Sequence, residues 1–118
     1  MKPILAKSAG FCYGVRRAVE LAQAEAEAGT PCVMLGSIIH NKDVIRQLEA
    51  KGVRAVDRPE DVPEGCSVII RSHGESRAVH EQLARRNVRV LDATCPNVTH
   101  IHQIVSQAED KGWQPVIV

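Results

Sequence analysis

Two cysteines and two histidines stand in sequence surroundings that suit chemistry. Cys12 lies within the segment GFCYG (10–14), and Cys95 lies within DATCP (92–96). His40 lies within IHN (39–41), and His73 lies within SHG (72–74). Thiolates act as nucleophiles or metal ligands, and imidazoles bind anions through hydrogen bonds or charge. The four side chains therefore suit a metal centre or thiol chemistry next to an anion site.

The stretches between these residues predict an α/β fold. Short β-branched runs alternate with stretches of helical periodicity, which is typical of βαβ units and a mostly parallel sheet flanked by helices. Strands are predicted at 3–7, 32–35, 53–56, 68–70, 88–91 and 115–118. Helices are predicted from 15 to 29, from 41 to 51, from 72 to about 86 and from 96 to about 111. Residues 57–65 are predicted to form a loop with room for one helical turn.

Three local signals support the predicted helix starts. Asn41 is a suitable N-cap for the second helix. The segment SHGE (72–75) has the pattern of a capping box, and Pro96 suits a first helical position. On this map Cys12, His40, His73 and Cys95 all fall in turns that lead from a strand into a helix.

Turns of this kind share one edge of a parallel sheet, beyond the carboxyl ends of its strands. The free N–H groups and positive dipole ends of the following helices point into that space and favour thiolates and phosphates. We therefore expect Cys12, Cys95, His40 and His73 to gather at this edge, although they are far apart along the chain.

Each of these residues also has a purely structural interpretation. An isolated cysteine is commonly a small buried hydrophobe, and an isolated histidine is often a solvated or capping residue. Cys32 and Cys66 fit the structural interpretation, because both stand next to apolar strands at the opposite, amino-terminal edge. Arg16 and Arg17 could attract an anion, but their spacing fits the solvated face of their helix.

Composition excludes several classes of protein. The 118 residues include 15 Lys+Arg and 14 Asp+Glu, so the net charge of +1 lacks the basic excess of a nucleic-acid or membrane-surface binder. With one Phe, one Tyr and one Trp the chain has no aromatic platform for bases. Neither a G-x-G-x-x-G pattern nor a P-loop nor local zinc spacing is present. His100 and His102 are two residues apart on a predicted helix, which argues against a chelating pair.

The apolar runs are much shorter than the roughly twenty residues that span a bilayer. The first residues, MKPILAK, are also too polar to form a secretory signal core. We therefore expect a cytoplasmic protein with free thiols and without disulfides.

Four blocks together resemble one family. They are GFCYGV (10–15), IHN (39–41), SHG (72–74) and DATCP (92–96) followed by VT (98–99). In order and spacing they are similar to the amino-terminal third, or slightly more, of 4-hydroxy-3-methylbut-2-enyl diphosphate reductase, the LytB/IspH family of iron–sulfur enzymes in non-mevalonate isoprenoid biosynthesis. The likeness extends over essentially all 118 residues.

The resemblance implies an oxidoreductase of three α/β lobes around a central [4Fe–4S] cluster. Cys12 and Cys95 would be two of its three cysteine ligands, and His40 and His73 would bind the substrate diphosphate. The family reductively removes the substrate 4-hydroxyl as water to give isopentenyl and dimethylallyl diphosphates, with electrons from a ferredoxin or a flavodoxin. The family's third cysteine, proton-delivering glutamate and Ser/Asn diphosphate ligands have no match in this chain, so no catalytic residue is expected here.

The resemblance also divides the chain. Residues 1–95 would form the first lobe and residues 96–118 the start of the second, so we expect the chain to be a truncated part of a longer enzyme. Alone, it is expected neither to hold a stable cluster nor to turn over substrate.

Two other functions stay open at this stage. One is a non-catalytic α/β module that binds a small phosphorylated ligand with the same turns. The other is a thiol-dependent phosphatase that uses Cys12, although its arginine lies one residue closer than the phosphatase loop requires.

Overall fold

The core of the protein is a four-stranded parallel sheet. A computed structural model describes residues 1–116. The strands are β1 (Cys32–Leu35), β2 (Arg54–Val56), β3 (Ser67–Ile70) and β4 (Arg89–Asp92), in the order β2-β1-β3-β4. All three neighbouring pairs are parallel. The predicted α/β class with a parallel sheet is confirmed.

Within residues 1–116, four α-helices accompany the sheet. They are α1 (Tyr13–Glu27), α2 (Lys42–Ala50), α3 (Arg77–Ala84) and α4 (Pro96–Asp110), and a short 3-10 helix spans Pro59–Asp61. The helix starts at 41–42 and at Pro96 are confirmed: the Asn41 side chain accepts from the backbone N–H groups of Asp43 and Val44, and Pro96 occupies the first turn of α4. The helical turn predicted inside 57–65 is confirmed as well.

The two faces of the sheet are covered by different helices. On one face α1 and α2 pack against Met34 and Ile69 through side chains such as Ala18 and Leu48. On the other face α3 packs against Val33 and Val68 through Leu83. Because successive strand residues point to opposite faces, both faces need apolar residues: β1 is apolar at every position and β3 at every position except Ser67, and both strands are buried throughout.

The strand order contains a reversal between β1 and β3. The chain moves from β1 outward to β2, returns to β3 next to β1, and then moves outward the other way to β4. Open parallel sheets bind ligands at such a reversal, beyond the carboxyl ends of the two strands. The turns that follow β1 and β3 carry His40 and His73.

The first predicted strand is wrong. Residues 3–7 are described and lie outside the sheet, and the side chains of Ile4 and Leu5 are 96% and 87% exposed. An apolar run forms a strand only where a neighbouring strand can accept its backbone hydrogen bonds. Cys12 therefore precedes a helix, as predicted, but does not follow a strand.

The predicted capping box at 72–75 is also wrong. Ser76, not Ser72, caps α3 by accepting from the N–H of Val79, and the helix ends at Ala84, before the predicted position 86. The cause lies at Gly74, whose φ of +77° is incompatible with a helix. Residues 71–74 form a turn instead, closed by a 3.0 Å bond from the N–H of Gly74 to the carbonyl of Arg71.

The strand predicted at 115–118 is not formed at Pro115 and Val116, and its last two positions lie outside the described residues. Helix α4, which is described throughout, contains no buried residue, and Ile101 and Ile104 are 50% and 53% exposed. Among residues 1–116 no helix has the length and apolarity that crossing a membrane requires.

We predict that Ile69→Ala lowers the free energy of unfolding by about 2–5 kcal/mol, because Ile69 is fully buried in β3 and the smaller side chain leaves a cavity. Val90→Ala on the edge strand β4, where the side chain is 37% exposed, is the matched control and is expected to cost about 1 kcal/mol or less. Urea unfolding measures both changes. Equal losses for the two variants would contradict the placement of the core.

Candidate functional site

Cys12 and Cys95 occupy equivalent positions at the starts of two long helices. Cys12 is the N-cap of α1, and Cys95 is the N-cap of α4. The Cys12 side chain is exposed and that of Cys95 is half-buried, and both thiols are free. Each thiol therefore lies at the positive end of a 15-residue helix, where the helix dipole and the free N–H groups stabilise a negatively charged group.

The start of α1 packs directly against Cys95. Gly14 is buried, and a Cβ at this position would lie 2.7 Å from the Cβ and 2.9 Å from the Sγ of Cys95. Real side chains do not approach this closely, so only glycine fits. Because Gly14 has no side chain, the turn that carries Cys12 can lie directly against Cys95.

Arg17, one turn after Gly14, ties α1 to the loop that leads into Cys95. Its guanidinium donates to the backbone carbonyls of Asp92 at 3.2 Å and Thr94 at 3.4 Å. The Asp92 carboxylate in turn accepts from the backbone N–H of Thr94 at 2.8 Å and from the Thr94 hydroxyl. The interpretation of Arg17 as a solvated residue is therefore wrong, because its side chain orders the loop that leads into Cys95.

The turn that carries His73 adjoins the turn that carries Cys95. The N–H of Cys95 donates to the carbonyl of the buried Ser72 at 2.9 Å. A Cβ at Gly74 would lie 3.2 Å from the side chain of Thr94. His73 itself is exposed between these two fixed residues. The structure thus joins the turns of Cys12, Cys95 and His73 in one row along the carboxyl edge of the sheet.

His40 lies at the neighbouring turn, directly before the cap of α2. Its loop begins at Gly36, whose N–H donates to the carbonyl of Val56 at 2.8 Å, and Ser37 donates from its hydroxyl to the carbonyl of Ile39 at 2.6 Å. A cavity of about 670 Å³ opens here, lined by Ser37, Ile39, His40, Asn41, Lys42, Ile45 and Arg46. The lining combines the positive end of a helix with an imidazole and the ammonium group of Lys42, which suits an anion. The guanidinium of Arg46 is paired with the carboxylate of Asp43.

The link between the turns of His40 and His73 is Arg71. Its Nη1 lies 3.4 Å from the position of a Cβ on Gly36. The four predicted site residues therefore lie on consecutive turns. The His40 turn contacts the His73 turn, and the His73 turn contacts the Cys95 turn. The Cys95 turn also contacts the start of α1, next to Cys12.

Cys32 and Cys66 lie elsewhere, as predicted. Both are buried, at 5% and 4% exposure, at the amino-terminal end of the sheet. Burial, with a smaller contribution from the Glu25 carboxylate, raises the pKa of the Cys32 thiol to about 12. Burial also raises the pKa of the Cys66 thiol. Both groups are therefore held as neutral, unreactive thiols.

Sequence reasoning missed His102 and Arg71. His102 was considered only as a partner for His100, yet its Cε1 lies 3.1 Å from the position of a Cβ on Gly74, and it lines a groove together with His73. No local pattern indicates this contact. For the tight turn at 74, the available sequence signal was Gly74 itself, because glycine readily adopts the positive φ that the structure shows there.

Among residues 1–116, no group of three or more His, Cys, Asp or Glu side chains is close enough to hold a metal ion. The donor set nevertheless fits part of an iron–sulfur centre, because cysteine thiolates are the usual ligands of such clusters and two free thiols lie on adjoining turns. The two thiols therefore suit two ligand positions of such a cluster.

We predict that the four thiols differ in reactivity at pH 8. Iodoacetamide should modify Cys12 fastest and Cys95 next, since Cys12 is exposed and Cys95 is half-buried. Cys32 should react slowly, because a thiol of pKa about 12 is ionised at pH 8 in only about one molecule in ten thousand. Peptide mass spectrometry over a time course measures the four rates, and the chain unfolded in guanidinium provides the control in which all four react. Modification of Cys32 or Cys66 as fast as Cys12 would contradict the placement.

We predict that Gly14→Ala displaces Cys95. Alanine favours a helix over glycine by about 0.5–1 kcal/mol, but the added methyl group would overlap the Cβ of Cys95 at 2.7 Å and cost about 1–3 kcal/mol. The variant should lose stability, and its Cys95 should be alkylated faster. Glu20→Ala, on the exposed face of the same helix, is the control. A stabilised variant with unchanged Cys95 reactivity would disprove the contact.

Known proteins are similar in sequence to the whole of this chain. The family model described as LytB protein matches residues 4–118. A 4-hydroxy-3-methylbut-2-enyl diphosphate reductase of Thermoanaerobacter sp. (strain X514) is 43% identical over 122 residues, which cover 100% of this chain and 42% of the relative. The reductase of the same name from Actinobacillus succinogenes is 40% identical over 119 residues, covering 100% of this chain and 38% of the relative.

Two solved structures share the fold. The E-1-hydroxy-2-methyl-but-2-enyl-4-diphosphate reductase from Plasmodium falciparum matches with a TM-score of 0.83 at 31% identity, over 89% of this chain and 33% of that one. The (E)-4-hydroxy-3-methyl-but-2-enyl diphosphate reductase described as the terminal enzyme of the non-mevalonate pathway matches with a TM-score of 0.78 at 40% identity, over 92% and 39%. The chain spans less than half the length of these relatives. By sequence and by fold, it belongs to the LytB protein family.

Proposed function

We propose that this chain forms part of the active site of a 4-hydroxy-3-methylbut-2-enyl diphosphate reductase. In this proposal Cys12 and Cys95 are two of the three cysteine ligands of a [4Fe–4S] cluster, and His40 and His73 bind the substrate diphosphate. The observation that carries the proposal is the packing of Gly14 on Cys95, which brings the Cys12 turn next to the Cys95 thiol. Relatives of that name align with the whole chain.

The two thiols suit a cluster electrostatically. Each stands at a helix N-terminus, where positive potential stabilises thiolates and compensates part of the negative charge of an iron–sulfur centre. When bound, the cluster would pass on, one at a time, two electrons from an external donor, and these with two protons would remove the substrate 4-hydroxyl as water and leave isopentenyl or dimethylallyl diphosphate. The role of the chain is to position the cluster and the substrate and to stabilise their charges.

The two histidines suit the other end of such a substrate. His40 and His73 project from the turns after β1 and β3, on the two sides of the reversal in strand order. Asn41 follows His40 and caps α2 by accepting from the N–H groups of Asp43 and Val44, so the positive dipole end of that helix faces the same space. A diphosphate placed here would accept hydrogen bonds from both imidazoles, and Lys42 and the positive end of α2 would add positive potential nearby.

A third thiol must come from a segment other than residues 1–116. Cys32 and Cys66 are buried at the opposite edge of the sheet and cannot reach a centre held by Cys12 and Cys95. We therefore propose that the 118 residues alone hold no stable cluster and reduce no substrate. We further propose a ferredoxin or flavodoxin as electron donor.

The exposed helix α4 supports a lobe boundary close to Cys95. Up to position 95 the chain builds the sheet and the two buried clusters, whereas no residue of α4, described from Pro96 to Asp110, is buried. We propose residues 1–95 as the first lobe and residues 96–118 as the start of a second, with the cluster cysteine Cys95 at the boundary.

We predict activity for a chimera of the Thermoanaerobacter relative in which residues 1–118 of this chain replace the matched 122 residues. Reconstituted without oxygen, it should be brown and should reduce 4-hydroxy-3-methylbut-2-enyl diphosphate with a chemical electron donor. Cys12→Ser and Cys95→Ser should each lower activity by about a hundredfold or more, since each removes one thiolate ligand. Absorption, iron content and product formation are measured.

Cys32→Ala and Cys66→Ala are the matched controls and should keep colour and activity, because both thiols are buried away from the site. The 118-residue chain treated in the same way should stay colourless. A brown, active chimera that tolerates serine at positions 12 and 95 would contradict the ligand assignment, and a stable cluster in the 118-residue chain would contradict the need for a third thiol from elsewhere.

A further inference from the structure

An ion pair lies across the turn that carries His73. The Nη2 of Arg71 is 3.1 Å from the Oε1 of Glu75, and the two side chains are 39% and 17% exposed. The turn itself runs from Arg71 to Gly74, so Arg71 is its first residue and Glu75 follows its last. The pair therefore spans the turn from one end to the other.

The backbone of this turn is fixed on the side of Cys95. The carbonyl of Ser72 accepts from the N–H of Cys95, and Gly74 lies against Thr94. On the side of β1 the contact is made by the guanidinium of Arg71, whose Nη1 lies 3.4 Å from the Cβ position of Gly36. The ion pair thus lies where the His73 turn meets the turn that leads to His40.

Arg71 is poorly suited to bind an anion itself. Arg71 lines a cleft of about 290 Å³, and Glu75 and Asp57 line it as well. One basic and two acidic residues leave net negative charge around this cleft, which opposes the approach of a phosphate. The role of the cation is therefore to hold Glu75 and the neighbouring turn.

We propose that Arg71 and Glu75 are positioning residues for His73. Together they fix the turn so that its imidazole faces the same space as His40, and they act on the substrate diphosphate only through His73. This assignment rests on the proposed function of His40 and His73, but the ion pair and its contact with Gly36 are independent of it.

Histidine ring NMR of the full chain tests the proposal. The chain is labelled with ¹⁵N-histidine, and the His73 ring signals are assigned by their loss in His73→Asn. Spectra of Arg71→Met, Glu75→Gln and Arg71→Lys are recorded at one fixed pH, without ligand and during titration with inorganic diphosphate. The control is Arg89→Met, which removes a comparable pair with the mostly buried Glu25, 3.3 Å away at the opposite edge of the sheet.

Without ligand, Arg71→Met and Glu75→Gln should move the His73 signals more than those of His100, whereas Arg89→Met should move neither. Diphosphate binding followed at His73 should weaken about tenfold in Arg71→Met, the loss expected for one charge-assisted hydrogen bond. Arg71→Lys should restore part of it, because an ammonium keeps the charge but not the planar fork of the guanidinium.

The decisive comparison is the double variant. In the His73→Asn background, with binding followed at His40, Arg71→Met should change the diphosphate affinity less than twofold, because its effect passes through His73. An equal loss in both backgrounds would overturn the proposal and make Arg71 a direct ligand. Unchanged His73 signals in ligand-free Arg71→Met would overturn it as well.

Failure of the proposed function gives a different result. If diphosphate moves no histidine signal in the unmodified chain, the diphosphate assignment of His40 and His73 fails. The ligand-free spectra then decide the positioning role alone, because displacement of the His73 ring by loss of the ion pair requires no ligand.

Discussion

The close approach of α1 to the loop after β4 is the interaction on which the site depends. Gly14 leaves room for the Cβ and Sγ of Cys95, and Arg17, on the same side of the helix, binds the carbonyls of Asp92 and Thr94. A steric requirement and two hydrogen bonds thus act on one loop. Together they place the exposed Cys12 and the half-buried Cys95 at adjoining helix starts, which no contact between neighbours in sequence could achieve.

The sheet supplies the rest of the arrangement. Because β1 and β3 are adjacent and parallel, the turns that follow them leave the sheet side by side. The hydrogen bond from Cys95 to Ser72 continues this row to the cysteines, and the contact of Arg71 with Gly36 continues it to His40. An anion site and a thiol site can therefore lie next to each other on one edge, as the proposed function requires.

Sequence patterns predicted the elements that local chemistry determines. The strands at 32–35 and 67–70 are apolar at nearly every position, and the N-cap Asn41 and the first-turn Pro96 are local signals, so these strands and helix starts were predicted within about two residues. The strand predicted at 3–7 was wrong because a strand needs a neighbouring strand as a hydrogen-bond partner. The capping box predicted at 72–75 was wrong because the positive φ of Gly74 is incompatible with a helix. The common edge followed from topology, but the contacts through Gly14 and Arg71 depend on residues far apart in the chain and have no local signature.

The central claim is that the Cys12 turn lies against Cys95, and a short bifunctional thiol reagent tests it most directly. In the Cys32→Ala/Cys66→Ala background, the reagent should link Cys12 to Cys95 within one folded molecule, and the yield should fall sharply in guanidinium. Mass spectrometry of the linked peptides measures the yield. If both thiols react singly in the folded chain and no intramolecular link forms, the two turns are apart and the account of the site is wrong.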